Sequence, residues 1–544
     1  MTPGGRPVAV VTGGGGGIGA AIAEELGWTG HMVVTVDPLV TLDGAARLET
    51  DEPTTAERIV AAGGTARASA LSVTDADGIQ ALFDELVAEH GRLDTVVNVA
   101  GITRPTTVAT GTEEDWLAVL AVHLDGYRNV LSAALPIMAR AGHGRILGVT
   151  SGSGWRPADT GAYGSAKRAV ASLTWQLGRH APAGVSVNAL SPIAATRMVT
   201  EALARVRQAT GGGSKSAATG GLSLGSMPGP ERLGPIGAHL AGESFAWSNG
   251  RIVFASGAEV AVVEPPRLLE AVRTEGVDDV AGLLDVVGPG ALVPAELAQV
   301  TNGASNPRFP AVFDGPSDGA PSAGSPGTVA VVCDRPDLAA ALRAVLESRG
   351  GTVDEIPLDR VTPGFAGAAE ALAAIGPVDG VVVALSGATA GADDGWERVL
   401  AEHDGIVGEI HTDAAWTRAV ADAGTPMRLV TVTDASTSGG RSRAQSSAQL
   451  ARAARKATEE RVAAFAVSLE SASPAAHRPT AELVGHLLSS PGAVDLSGAE
   501  LVAADGWLGL RSHPRAGGSV TYGGPDVPAW LDDALRDLTG PEQQ

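Results

Sequence analysis

Three side chains in the stretch TSGSGWRPADTGAYGSAK, residues 150–167, have the types and spacing for proton transfer at a carbonyl. Tyr163 and Lys167 stand four residues apart, which on a helix puts phenol and ammonium one turn apart on the same face. A phenol with an ordinary pKa of about 10 is a poor acid–base catalyst at neutral pH. A lysine cation held beside it favours the phenolate, so the pair predicts a Tyr163 pKa lowered by Lys167. Ser151, just upstream at a strand end, is placed to donate a hydrogen bond to a carbonyl waiting beside the phenol. Such a set interconverts a carbonyl and an alcohol, and it needs a hydride carrier.

The N-terminus has the elements to hold one. PVAVVT (7–12) reads as a buried strand. It ends in Thr12 and Gly13, and the glycine run continues through Gly17, Ile18 and Gly19 into a helical pattern. Glycines between a strand and a helix let the backbone approach a pyrophosphate at the positive helix N-terminus. A second strand, HMVVTVD, ends in Asp37, whose carboxylate would accept from the adenosine ribose hydroxyls and repel a 2′-phosphate, favouring NAD(H) over NADP(H). Further strands end in Ser72 and Val73, where an adenine edge could rest, and in Asn98-Val99-Ala100-Gly101, which would flank the cofactor. A helix over 113–141 carries His123, and a strand then delivers Ser151. A helix over 162–181 carries Tyr163 and Lys167, and Pro192 and Thr196 after the next strand would lie over the nicotinamide. Alternating strands and helices predict an α/β fold, a parallel doubly wound sheet with its ligand at the strand C-termini.

At 544 residues the chain exceeds one hydrophobic core, so two domains are expected. A net charge of −22 without a basic block argues against nucleic acid as a partner. A single cysteine, Cys333, excludes an internal disulfide and fits a reducing cytoplasm. No apolar run suggests a membrane span and no signal-peptide pattern opens the chain, so a cytoplasmic protein with no membrane partner is expected.

Taken together, the glycine run, Asn98 to Gly101, Ser151, Tyr163-x-x-x-Lys167 and Asn188 to Pro192 resemble a classical short-chain dehydrogenase/reductase over residues 7 to 275. Glu113 to Trp116, Val122 to Gly126, Ala194 to Met198 and the Asn249 to Val253 tail are similar to the (3R)-hydroxyacyl-CoA dehydrogenase domain of multifunctional enzyme type 2 and to bacterial 3-oxoacyl reductases. The resemblance implies Tyr163 as general acid/base, Lys167 as its modulator and a ribose ligand, and Ser151 as the carbonyl orienter. It also implies His123 at a relay position where many members have Asn, and a Ser151–Tyr163 loop one residue shorter than usual. The Gly/Ser-rich segment 200–229, with Arg205, Arg207 and Lys215, sits where the fold places a substrate lid.

Residues 327–544 repeat the pattern in worn form, giving three expected parts: a catalytic unit (1–290), a Gly/Pro/Ser-rich linker (291–326) and a degenerate Rossmann-like copy (327–544). In the copy the glycine loop has become Cys333-Asp334-Arg335-Pro336-Asp337, and Gln445 and Gln449 stand at the tyrosine and lysine positions. The first unit is expected to close with a helix over PPRLLEAVRTEG. Its Tyr/Lys helix is expected to pack against the copy as an internal pseudo-dimer, two of which would form a tetramer-like homodimer. The expected substrate is a small carbonyl or alcohol, a CoA- or carrier-linked 3-oxoacyl thioester first and a steroid or polyketide-type ketone second. A non-catalytic, cofactor-binding scaffold is the reading of another class.

Overall fold

The computed structural model describes residues 5–49, 51–200, 227–301, 304–306, 308–313, 324–387 and 394–539. Runs that are apolar on both faces can be satisfied only inside a sheet covered on both sides. β1 (Val8–Thr12), β2 (Met32–Val36), β4 (Thr95–Asn98) and β5 (Gly144–Val149) are of this kind and are buried along their length. With β3 (Thr65–Ser69), β6 (Val185–Pro192) and β7 (Ile252–Ser256) they form a parallel sheet in the order β3-β2-β1-β4-β5-β6-β7, extended by antiparallel β8 (Glu259–Glu264). The order reverses between β1 and β4, the switch point where an open α/β sheet leaves a crevice at its carboxyl edge.

The segment expected as a closing helix is instead β9 (Leu268–Arg273), and it leaves the first sheet altogether. Its helix-forming residues yield to pairing with a strand more than 200 positions away, a tertiary contact that overrides local propensity. Past a short ladder of β10 (Val300–Thr301) and β11 (Ala304–Ser305), the second sheet comprises β12 (Thr328–Cys333), β13 (Thr352–Glu355), β14 (Gly380–Ala384), β15 (Met427–Asp434), β16 (Val462–Leu469), β17 (Glu500–Ala504) and β18 (Trp507–Arg511). Its order, β13-β12-β14-β15-β16-β17-β18, copies the first from the β2 equivalent onward, and β9 completes it as an antiparallel edge. Reciprocally, β19 (Arg515–Thr521) near the C-terminus pairs antiparallel with β8 of the first sheet. The helix Leu531–Thr539 follows it there, burying Leu531 and Leu535 in the first core. The two units thus exchange edge strands within one chain, and a cut between 290 and 327 would strip an edge from each sheet.

Between these units, the expected linker begins within a helical run that ends at Leu297. The apolar helical run Val280–Leu297, 18 residues with a mean hydropathy of 1.4, is long and apolar enough to cross a membrane by length and composition alone, contrary to the expectation that no run is. Here Leu284 and Leu292 are buried in the second core and Asp285 meets His486 at 3.2 Å.

The units meet through helices. Gly161–His180 packs along Ser438–Ala457, and Glu113–Leu120 meets Ile406–Asp422. Every residue from Gly164 to Leu177 is buried, and Ala166, Ala169 and Val170 share one core with Ile410, Ala414 and Leu450 of the copy. The apolar face expected to need a partner has one inside the chain.

Candidate active site

The glycine loop turns sharply out of β1. Gly13 has φ +65°, and a Cβ there would lie 2.7 Å from the Ala100 nitrogen; one on Gly19 would lie 2.2 Å from the Gly13 oxygen. These positions admit no side chain. Helix Gly17–Trp28 begins without a side-chain cap or an acidic residue in its first turn, which leaves a positive terminus open to an anion. Above Gly16 and Gly17 the nearest neighbours of a Cβ would be Arg197 at 3.7 Å and Thr196 at 3.8 Å, so the loop faces a gap roofed by that pair.

Two further anchors set the loop. Thr12 Oγ1 donates to Asn98 Oδ1 (2.7 Å) and accepts from the Ala100 N–H (3.3 Å), tying the ends of β1 and β4 together. Asp37 follows β2, accepting from the Gly15 N–H at 2.9 Å through one oxygen and from the Leu39 N–H at 2.8 Å through the other. Its carboxylate lies beside the glycine loop, where a ribose attached to a pyrophosphate would fall. Val73 packs its side chain into the core under Gly126, and its carbonyl accepts from Asn129 Nδ2 at 3.0 Å. Ser72 bonds Thr74 at the surface. Pro192 ends β6, with Thr196 one turn on.

Tyr163 and Lys167 project from helix Gly161–His180 as expected. Lys167 is 4% exposed and its ammonium donates to the Val149 carbonyl at 2.6 Å, standing 5.7 Å from the centre of the Tyr163 ring. The phenol does not carry a lowered pKa. Burial pushes it above its ordinary value, opposed by a hydrogen bond with Ser151. The expectation that Lys167 lowers Tyr163 is thereby corrected: burial dominates, and the ammonium is spent on a backbone carbonyl. Burial also brings Lys167 itself down to about 7.

His123 lies in a π-helical turn, Ala121–Asp125, inside the long helix over 113–141, a local widening that often marks functional positions. Its ring meets Tyr163 edge-on with centroids 5.2 Å apart. Nε2 is 2.9 Å from the Ile102 carbonyl, which can only accept, so Nε2 carries the proton. Nδ1 is then a bare acceptor, buried without a hydrogen-bond partner. Burial first, and the Lys167 charge second, hold this ring well below the ordinary histidine pKa, so it is neutral. Gly101 lies against it, since a Cβ there would stand 2.4 Å from His123 Cε1.

Ser151, Tyr163, Lys167 and His123 thus converge at the carboxyl ends of β4 and β5, next to the glycine loop. A family model for short chain dehydrogenases matches residues 7–207. The short-chain reductase protein NovJ of Streptomyces niveus is 36% identical over 258 residues, 45% of this chain and 93% of that protein. The chain belongs to the short-chain dehydrogenase/reductase family. The peroxisomal hydratase-dehydrogenase-epimerase of Saccharomyces cerevisiae is 30% identical over 252 residues, 46% of this chain and 26% of that protein, in line with the narrower resemblance. A solved structure described as the N-domain of bacterial malonyl-CoA reductase with NADP aligns over 89% of this chain and 95% of its own at a TM-score of 0.63. At 17% identity that likeness shows the fold alone, and it spans both units. As an oxidoreductase family whose members bind nicotinamide cofactors, short-chain dehydrogenases act on small carbonyl and alcohol substrates.

In the second unit an acidic side chain stands at the corresponding place. Asp334 accepts from the Ser386 N–H at 2.9 Å and its hydroxyl at 3.0 Å, across the end of β12 where a phosphate cradle would open. Beside Gln445 and Glu500 remains a cavity of about 10 Å³, room for one water. Arg205, Arg207 and Lys215 of the expected lid lie outside the described residues. Arg197 falls within the Ala194 to Met198 pattern, but its place over the glycine loop was not read from it. Nor was the reach of Arg418, Gln449 and Arg452 from the copy into the first unit read from the sequence. Gln449 was expected at the lysine position, which the matched helices give instead to Ala444.

Proposed function

We infer that the chain is an NAD(H)-dependent oxidoreductase that interconverts a secondary alcohol and a ketone, with a 3-hydroxyacyl/3-oxoacyl thioester as its substrate class. The observation that carries this reading is the buried Lys167 ammonium 5.7 Å from the Tyr163 ring, with Ser151 just past the end of β5, beside a side-chain-free glycine loop. Thr12, Gly13, Gly17, Ile18 and Gly19 would hold the pyrophosphate side of the cofactor, with Asn98, Ala100 and Gly101 as the opposite wall. Pro192 and Thr196 would bear on the nicotinamide. Asp37 supports NAD(H), because its carboxylate would take ribose hydroxyls and oppose a 2′-phosphate.

When bound, a nicotinamide supplies or accepts the hydride. In the reductive direction Ser151 Oγ donates to the substrate carbonyl oxygen, and the Tyr163 phenol gives its proton to that oxygen as negative charge develops there. The raised phenol pKa suits this role, since Tyr163 stays protonated at neutral pH. Lys167 stands behind the phenol, and the bare Nδ1 of neutral His123 offers an acceptor for a proton path leading inward. The copy has neither an acid–base pair nor a phosphate cradle and is read as catalytically silent. Because the internal pairing covers the Tyr/Lys helix, two chains joined as a tetramer-like homodimer remain a separate proposal, measured by light scattering.

Nicotinamide absorbance followed with NADH and acetoacetyl-CoA tests the reading. Turnover should fall at least about a hundredfold in Tyr163→Phe. Full turnover in that variant would remove Tyr163 from the chemistry, and silence of the wild type with acetoacetyl-CoA would shift the substrate to bulkier ketones.

A further inference from the structure

The loop between Ser151 and Tyr163 forms one wall of the site, and its carbonyls are held largely from outside the first unit. Gln449 Nε2 lies 3.2 Å from the Ser153 carbonyl, 3.0 Å from that of Arg156 and 3.4 Å from that of Ala158. Arg452 donates to the Trp155 carbonyl at 2.7 Å. The Gly154 carbonyl accepts from Arg168 at 3.4 Å, and Arg168 is itself locked to the copy through Glu500 and Gln445. Gln449, Arg452 and Arg168 are all buried, so these donors have no water to turn to.

The loop leads directly to the reacting hydroxyls. Ser153, whose carbonyl faces Gln449, donates its own N–H to Ser151 Oγ at 3.3 Å. One residue therefore separates the copy's side chain from the serine hydroxyl: the carbonyl and N–H of Ser153 lie in successive peptide planes hinged at its Cα, so a shift at the clamped carbonyl turns the N–H that holds Ser151. The repeated helices, Gly161–His180 and Ser438–Ala457, match residue for residue with the strands that follow them, which puts Gly440 and Ala444, and not the expected Gln445 and Gln449, at the positions of Tyr163 and Lys167. Gln449 lies further along the helix, where its amide distributes two N–H donors among neutral carbonyls without adding a buried charge.

We propose that Gln449 and Arg452 of the degenerate copy are positioning residues for the first unit's site, fixing the Ser153–Ala158 backbone so that Ser151 is aimed at the substrate carbonyl. On this view the copy is kept as a fixed wall of the substrate pocket as well as a covering for an apolar helix face. The proposal rests on Ser151 acting as the carbonyl donor.

The test uses the full chain with Gln449→Met and Arg452→Met, which keep bulk and remove donors, and Gln449→Lys and Arg452→Lys, which return one. Three readouts are kcat and KM with acetoacetyl-CoA, the Kd for NADH by fluorescence, and hydrogen exchange of peptides spanning 151–160 and 8–28. The Met variants should lose about tenfold or more in kcat, as expected for misplacement of a reacting group. Their NADH Kd should stay within about twofold, and exchange should accelerate in 151–160 but not in 8–28. The Lys variants should recover part of kcat. Unchanged exchange in 151–160 overturns the proposal whether or not any ketone is turned over. Faster exchange in both peptides with lost NADH binding overturns it as well, because the residues would then be merely structural. If the wild type reduces no ketone, the functional reading fails separately, and the exchange of the loop still decides the clamp.

Discussion

Lys167 directs its ammonium at the Val149 carbonyl, 2.6 Å away, and not at the phenol of Tyr163. The lysine is buried with one neutral partner, which holds its pKa down at about 7, while burial also raises Tyr163. Two pH dependences follow from this pair.

In the proposed mechanism, ketone reduction consumes the Tyr163 proton and alcohol oxidation needs the phenolate. Oxidation should therefore climb as pH rises through the alkaline range, and reduction should be level near neutrality and decline there. For stability the sign is set by a folded pKa below the unfolded one. The contribution of Lys167 is fully present above its ordinary value near 10.5 and is lost as pH falls through about 7. Lys167→Met, which cannot charge, should thus melt higher than the wild type at pH 6, with the gap closing toward pH 10. Thermal melts of both proteins across that range check this, and a gap independent of pH would place the charge elsewhere.

Asp37 ties the glycine loop to β2 through the Gly15 N–H and sets its carboxylate beside that loop, at the position proposed for the ribose. Replacing it by alanine removes both the hydroxyl acceptor and the repulsion of a 2′-phosphate. In Asp37→Ala the ratio of kcat/KM for NADH to that for NADPH should fall by roughly tenfold or more, an effect of about 1.4 kcal/mol. Initial rates with the two cofactors measure it, and an unchanged ratio removes Asp37 from cofactor choice.

What the sequence made legible follows from how local the determining forces are. β1, β2, β4 and β5 announce themselves because strands buried on both faces are apolar throughout, and the glycine loop does so because no Cβ fits against Ala100 or Gly13. Tyr163 and Lys167 share a helix face by spacing alone. β9 was illegible, since Leu268–Arg273 contains good helix formers and becomes a strand only through a partner beginning at Trp507. The direction of Lys167 was illegible for the same kind of reason: the carbonyl it chose belongs to β5, and spacing along a helix says nothing of it. The reach of Gln449 and Arg452 into the 153–158 loop depends on how two helices from distant parts of the chain lie together.

Where those helices cross, Arg168 is fully buried and paired with Glu500, whose other oxygen accepts from Gln445 at 2.8 Å, with His513 Nδ1 3.1 Å from the carboxylate. Burial works against the carboxylate charge, yet Arg168, then His513 and Gln445, hold its pKa down at about 2. Removing one member of such a pair leaves an uncompensated buried charge, which costs roughly 3–5 kcal/mol, far more than the pair contributes over an apolar replacement. Arg168→Met should therefore destabilise the chain by about that amount in urea unfolding, and Arg168→Met with Glu500→Gln should recover much of the loss. The coupling has a pH signature. A carboxylate depressed in the fold stabilises fully above its ordinary value near 4.5 and loses that contribution as pH falls toward about 2. Wild type should accordingly lose more stability than the double variant between pH 5 and pH 3. Because each sheet carries an edge strand from the other half, the two units should unfold in one transition rather than two. A separate early transition in Arg168→Met would show instead that this pair, and not the strand exchange, couples the halves.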